Sequence, residues 1–241
     1  MISQSNYIPW KGFFDSIHLV DEFIIYDTVQ YTRGDWRNRN RLKTPSGPQW
    51  LTIPVKVKGL YQQSIHDTRV HDEAWGEKHW KTIVHNYANA PYFDSVAAVL
   101  EPLYLHPPSP MLSDINHSFI RAVCRFLGIE TRIRWSREFV AEGEDRVSRL
   151  VDICRQVQAT DYFTGPAAKN YLQDDPFREA GIQIHYFDYS GYPEYPQLFG
   201  DFVHEVSVLD LLFNTGPSAP QYLKSFQCDS MGAGDRVGRV S

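Results

Sequence analysis

Five basic residues crowd one short stretch, RGDWRNRNRLK at 33–43. Arg33, Arg37, Arg39, Arg41 and Lys43 meet a single acid, Asp35, giving a local net charge of +4 in a chain whose overall charge is −5. Guanidinium groups present planar, paired donors to phosphate or carboxylate, and Trp36 adds a ring on which a base or a sugar face can stack. An extended backbone would put Arg37, Arg39 and Arg41 on one side and Asn38 and Asn40 on the other. The competing reading is a solvated edge strand whose charges discourage aggregation. Asparagines and a tryptophan add nothing to such an edge, which tips the balance toward an anion site.

A second candidate is TGPAAKNYL at 164–172. Gly165, Ala167 and Ala168 allow a ligand close to the backbone. A helix starting near Pro166 would turn free N–H groups toward an anion, with Lys169 adding charge. The pattern matches neither the P-loop nor the dinucleotide fingerprint, and a Gly-Pro that merely caps a strand fits it equally well. His79 is the best-placed histidine for acid–base work, although a hydrogen-bonded core histidine is at least as well supported. His66 and His71 with Asp67 and Asp72 have no metal-ligand spacing, so no metal site is expected. Neither a GxSxG elbow nor a local cysteine signature supports covalent catalysis.

The elements that must carry these residues alternate between strand and helix. After a short apolar start, QSNYIPW forms a polar loop and Lys11–Val20 has helical spacing. EFIIYDTVQ at 22–30 then reads as a strand, completing a βαβ opening. Residues 40–57 are two extended stretches around Pro45-Ser-Gly-Pro48, a hairpin beside the main sheet. Trp75, His79, Ile83 and Tyr87 fall four apart on one helix, so His79 points inward. A second helix runs from Ser113 to Gly128, with LHPPSP as a rigid connector before it. Beyond it, strands around 132–140, 161–165 and 182–189 alternate with helices near 147–157, 176–180 and 206–213. The expected fold is therefore α/β, a mixed, mainly parallel sheet flanked by helices, with a hairpin insertion and a helical middle. Residues 1–226 are expected to form one domain, with a helical subdomain at about 74–128 and a flexible tail at 227–241.

The 241 residues are 42% hydrophobic and 22% charged, enough to bury a substantial core. The sequence holds no run long enough to span a membrane and no secretory leader, so a cytoplasmic location is expected. Three scattered cysteines, Cys124, Cys154 and Cys228, suggest thiols rather than a disulfide framework. Net negative charge argues against general nucleic-acid binding.

Five ordered blocks from residue 2 to 216 resemble the WbqC-like family of bacterial polysaccharide-locus proteins: QSNYIPWKGFFDSI, YDTVQYTRGDWRNRNRLKTPSGPQWLTIPV, EKHWKTIVHNYANAPYF, YFTGPAAKNYL and VSVLDLLFNTG. The resemblance implies a place in O-antigen or related surface-polysaccharide synthesis, and a transferase passing glycine or another amino-acyl group onto a sugar. Its partners would be a nucleotide-linked or lipid-linked sugar and an activated amino-acid donor; it leaves any cofactor unknown. Gln4, Asn6, Tyr7 and Trp10, together with Asp27, Gln30, Arg33, Trp36, Arg37, Asn38, Arg39, Gly165, Pro166 and Lys169, form the expected substrate-contacting set, with His79 as base. Ser5 stands where the family's opening typically has proline, so this turn is expected to be less rigid. Two other classes fit the opening: a nucleotidyl-transferring α/β enzyme, against which the loop lacks paired histidines, and a non-catalytic binding or assembly protein of the same pathway.

Overall fold

The computed structural model of the protein describes residues 1–172 and 174–229. Its centre is a parallel βαβ unit: β1 (Ile2–Ser3), α1 (Lys11–His18) and β2 (Glu22–Ile25). β2 is the spine of the sheet, pairing in parallel with β1 (Ile2 opposite Ile24) and with β5 (Arg132–Trp135; Ile24 opposite Arg134). Because side chains alternate along a strand, β2 serves two cores. Phe23 and Ile25 enter the larger one, while Ile24 and Tyr26 enter a smaller one on the opposite side. That double burial is why the strand reads as an unbroken apolar run.

β6 (Asp161–Thr164) and β7 (Gln183–Tyr186) form a second parallel pair, and β6 lies against β1. Two separate parallel sheets, β1-β2-β5 and β6-β7, thus lie side by side at β1 and β6. The chain leaves β1 toward β2 and later returns to β1's other flank with β6, so the order reverses between β1 and β6. α5 (Arg146–Gln156) covers the smaller core through Val147, Leu150, Val151 and Cys154. Its start is set by Asp145, whose Oδ1 accepts hydrogen bonds from the backbone N–H groups of Val147 (2.6 Å) and Ser148 (2.9 Å).

The hairpin β3 (Arg39–Thr44) and β4 (Gly47–Thr52) closes at Gly47, whose φ of +94° favours glycine. The middle of the chain forms α2 (Trp75–Tyr87), α3 (Phe93–Leu105) and α4 (Leu112–Leu127). Trp75, His79, Ile83 and Tyr87 all face inward, and α4 ends at Gly128 in the left-handed conformation. The larger core runs continuously from α1 through these helices to α7 (Val208–Thr215). A short α6 (Asp175–Glu179) precedes β7, and α8 (Lys224–Asp229) packs on α1. Helix thus continues past Phe226, and residues 230–241 of the segment read as a tail lie outside the described residues. Among the described residues, no helix is long and apolar enough to cross a membrane.

Candidate functional site

The loop leaving β1 is held from every side. Asp27, at the end of β2, is buried and accepts from the Ser5 backbone N–H (2.8 Å), the Ser5 hydroxyl (2.6 Å) and the Ser113 hydroxyl at the start of α4. Asn116, one turn into α4, donates to Ser5 Oγ (3.0 Å) and to the Arg37 carbonyl (2.8 Å). Ser5 therefore does not loosen the turn: its N–H and hydroxyl, neither of which proline possesses, anchor it. Burial pushes the Asp27 carboxyl above its ordinary range, opposed by the hydrogen bonds from Ser113 and Ser5 and by the charge of Arg37.

Farther along, Ile8 has φ +37°, a costly conformation for a β-branched residue, on the order of 1–3 kcal/mol. It persists because its neighbours are pinned. Asn40 donates to the carbonyls of Tyr7 (3.1 Å) and Ile8 (3.0 Å), Ser207 Oγ to Ile8 (2.7 Å), and the Val208 N–H to Pro9 (2.9 Å). Trp10 then lies across Gly12, where an added Cβ would come within 2.3 Å of the ring, and packs edge-on against Tyr189 and Tyr192.

This fixed loop forms one wall of a crevice of about 730 Å³ at the C-terminal ends of β1 and β6, where the strand order reverses. Such a switch point is where open parallel sheets hold ligands. Arg37 enters from the loop before β3, Arg146 and Arg149 from the start of α5, and among the described residues none that lines the crevice is an aspartate or glutamate. Arg146 stacks 3.9 Å above the Tyr171 ring and donates to its hydroxyl (3.0 Å). Arg149 donates to the carbonyls of Gly143 (2.8 Å) and Glu144 (3.1 Å). Arg37 donates to Asn6 Oδ1 and, at 3.3 Å, to Asp35; its buried Nε has no partner among the described residues. Burial lowers the Arg37 pKa, while the charges of Asp35 and Asp27 oppose the shift. Arg146 and Arg149, with Arg37 held in part by Asp35, form a cationic wall suited to an anion with several oxygens, such as a diphosphate.

Of the residues expected to contact a ligand, Gln4, Asn6, Trp10, Gln30, Arg37 and Gly165 meet in the crevice. The arginine row is divided. Residues 36–38 form a turn, with the Trp36 N–H donating to Asp35 Oδ1 (2.7 Å), so β3 begins only at Arg39. Arg37 consequently points into the crevice, whereas Arg39 lies 4.2 Å over the Trp50 ring. Arg41 joins Trp36 around an adjoining bay of about 430 Å³ that shares Asn6 and Trp10 with the crevice. Asn38 and Asn40 do face the opposite side, and Asn38 is buried, donating to the Ile53 carbonyl (2.8 Å). Arg33 lies outside the crevice, donating to the Val57 carbonyl (3.0 Å).

Five other expected residues lie outside the crevice. Tyr7 and Asp27 are buried and act on the crevice by fixing its wall. His79 is enclosed as well. Its Nε2 must donate to the Thr52 carbonyl (3.1 Å), which leaves Nδ1 to accept from the Tyr7 hydroxyl (2.8 Å). Desolvation lowers its pKa to about 4, and it does not border the crevice, so a neutral core histidine replaces the expected base. After β6 the chain forms only a short 3₁₀ turn, Pro166–Asn170, whose first residue lacks an N–H. Pro166 is exposed and Lys169 Nζ lies over the Tyr186 ring (4.9 Å), so neither lines the crevice.

Arg146, Arg149, Tyr171 and Tyr189 were not anticipated. A signal for the arginines is present in DRVSR: an N-cap aspartate followed by arginines three apart puts both on the first turns of one helix face. Among the described residues no cluster of three or more His, Cys, Asp or Glu side chains could hold a metal ion.

A family model for the WbqC-like protein family matches residues 4–222. The chain is also similar to the uncharacterized protein Rv1507c of Mycobacterium tuberculosis, with 47% identity over 224 residues, covering 92% of this chain and 96% of that protein. No solved structure matches. With the match spanning the opening loop, the arginine turn, both helical regions and the β6 turn, the chain belongs to the WbqC-like protein family.

Proposed function

We propose that the protein is a transferase of bacterial surface-polysaccharide biosynthesis, which holds a nucleotide-linked or lipid-linked sugar by its phosphates and passes glycine or another amino-acyl group onto it. The observation that carries the binding half is the crevice itself: Arg37, Arg146 and Arg149 converge with no aspartate or glutamate among the described lining residues, where β1 and β6 lie side by side. Family resemblance supports the pathway and the transfer. In that transfer a hydroxyl or amine of the sugar attacks the carbonyl of an activated amino-acyl donor. A new ester or amide bond forms, the activating group leaves with its bonding electron pair, and the attacking group releases its proton. With no imidazole or carboxylate among the described residues that line the crevice, the rate depends on an already activated donor, on positioning and on stabilisation of charge.

Calorimetry tests this. Sugar nucleotides should bind wild type and lose affinity in Arg37→Ala and Arg149→Ala variants, and an activated amino-acyl donor should then yield aminoacylated sugar, detected by mass spectrometry. Binding that is indifferent to both arginines would overturn the placement. The same lack of a base favours a second reading, a binding or assembly protein of the pathway, which would bind sugar nucleotides without turnover. Pyrophosphate release from a nucleoside triphosphate would instead mark nucleotidyl transfer.

A further inference from the structure

Beside the crevice, and across Asn6 and Trp10 from it, lies the bay bordered by Pro9, Trp36, Asn40, Arg41 and Glu205. We infer that this bay is the subsite for a pyranose ring carried on the diphosphate; the inference rests on the crevice being the phosphate site. Charge separates the two compartments. Arg41 in the bay is paired with Glu205 (2.9 Å), so the bay offers a donor and an acceptor side by side with little net charge. Vicinal hydroxyls match that pair, whereas a phosphate would meet the carboxylate.

The aromatic groups point to the same ligand. Trp36 and Trp50 are 41% and 47% exposed, large apolar surfaces left open at the hairpin. Their rings are tilted by 43° with centroids 5.3 Å apart, so they cannot sandwich a flat base, but Trp36 can carry the C–H face of a sugar. Arg39 and Arg41 lie 4.2 Å and 5.6 Å from the Trp50 ring centroid and hold that side of the platform. Asn6 belongs to both compartments, so a sugar joined to its diphosphate would pass directly over it.

The test compares hexosyl diphosphates with the same diphosphates lacking the sugar, on wild type and on Trp36→Ala. One calorimetric series uses UDP-, GDP- and dTDP-hexoses against the free nucleoside diphosphates. A second uses a short-chain prenyl diphosphate hexose against the prenyl diphosphate, which distinguishes the nucleotide from the lipid source. In whichever series binds, Trp36→Ala should weaken the hexosyl compound about tenfold and leave the sugar-free compound within about twofold, with Trp36→Phe largely restoring the loss. Equal weakening of both compounds, or of neither, overturns the pyranose subsite alone. So does a wild type that binds the sugar-free compound as tightly as its hexosyl form. A wild type that binds no diphosphate in either series overturns the crevice reading and this inference with it.

Discussion

The two ends of the same parallel strands carry opposite charge. At their N-terminal ends a cavity of about 190 Å³ is bordered by Asp21, Glu22 and Asp161, with no arginine or lysine among its lining. At their C-terminal ends the larger crevice is lined, among the described residues, by three arginines and no acid. Two of the acids at the first end hold strands together: Glu22 meets Arg132 (3.1 Å) and Arg134 (3.8 Å) on β5, and Asp161 meets His185 (2.6 Å) on β7. At the second end Arg146 and Arg149 are held by carbonyls and a hydroxyl, contacts that orient a guanidinium without cancelling its charge, while Arg37 shares its charge with Asp35 and bonds the Asn6 amide. The second arrangement leaves more charge available to a ligand, chiefly on Arg146 and Arg149, which separates a structural end of the strands from a functional one.

The largest effect should come from removing the support beneath the functional end. Asp27→Ala leaves two Ser5 donors and the Ser113 hydroxyl unpaired, and should cost about 3 kcal/mol in urea unfolding, with Asp27→Asn in between. Arg37→Glu would give the crevice the charge of the opposite end. Sugar-nucleotide affinity should fall about 100-fold while the fold, followed by circular dichroism, persists.

The pH profile sharpens the comparison through His79, which supports Tyr7 behind the loop. Its folded pKa of about 4 lies below the unfolded value of 6.5. Its contribution is therefore complete above pH 6.5 and is lost as pH falls from there toward 4, with a limiting slope of about 1.4 kcal/mol per pH unit. A His79→Gln variant should lose that slope in unfolding measured across the window. Arg149→Ala, which removes one of three cations, should weaken ligand binding about tenfold. Smallest of all, Asp161→Asn at the other end should change affinity by less than about twofold.

Much of the scaffold was legible because local pattern and tertiary environment agree. The apolar run at 22–26 is a doubly buried strand, the four-residue spacing from Trp75 to Tyr87 is a buried helix face, and Asn38 and Asn40 oppose Arg39 and Arg41. α3 was missed: Pro102 lies within it, and the sequence around it lacks a strong amphipathic stripe. The candidate site was half legible. Its opening loop and Arg37 are marked by residue type, but Arg146 and Arg149 lie more than a hundred residues away and reach Arg37 only when β6 packs beside β1. His79 misled for a related reason. An inward-facing histidine has the same sequence pattern whether it borders a cavity or, as here, is enclosed between Tyr7 and Thr52.

The most direct test of the central claim is a crystal structure of the protein soaked with a diphosphate-linked hexose. Phosphate oxygens should lie within hydrogen-bonding distance of Arg37 and Arg149, at the C-terminal ends of β1 and β6. A diphosphate bound at the N-terminal ends of the strands, or on the hairpin away from Arg37, would contradict it.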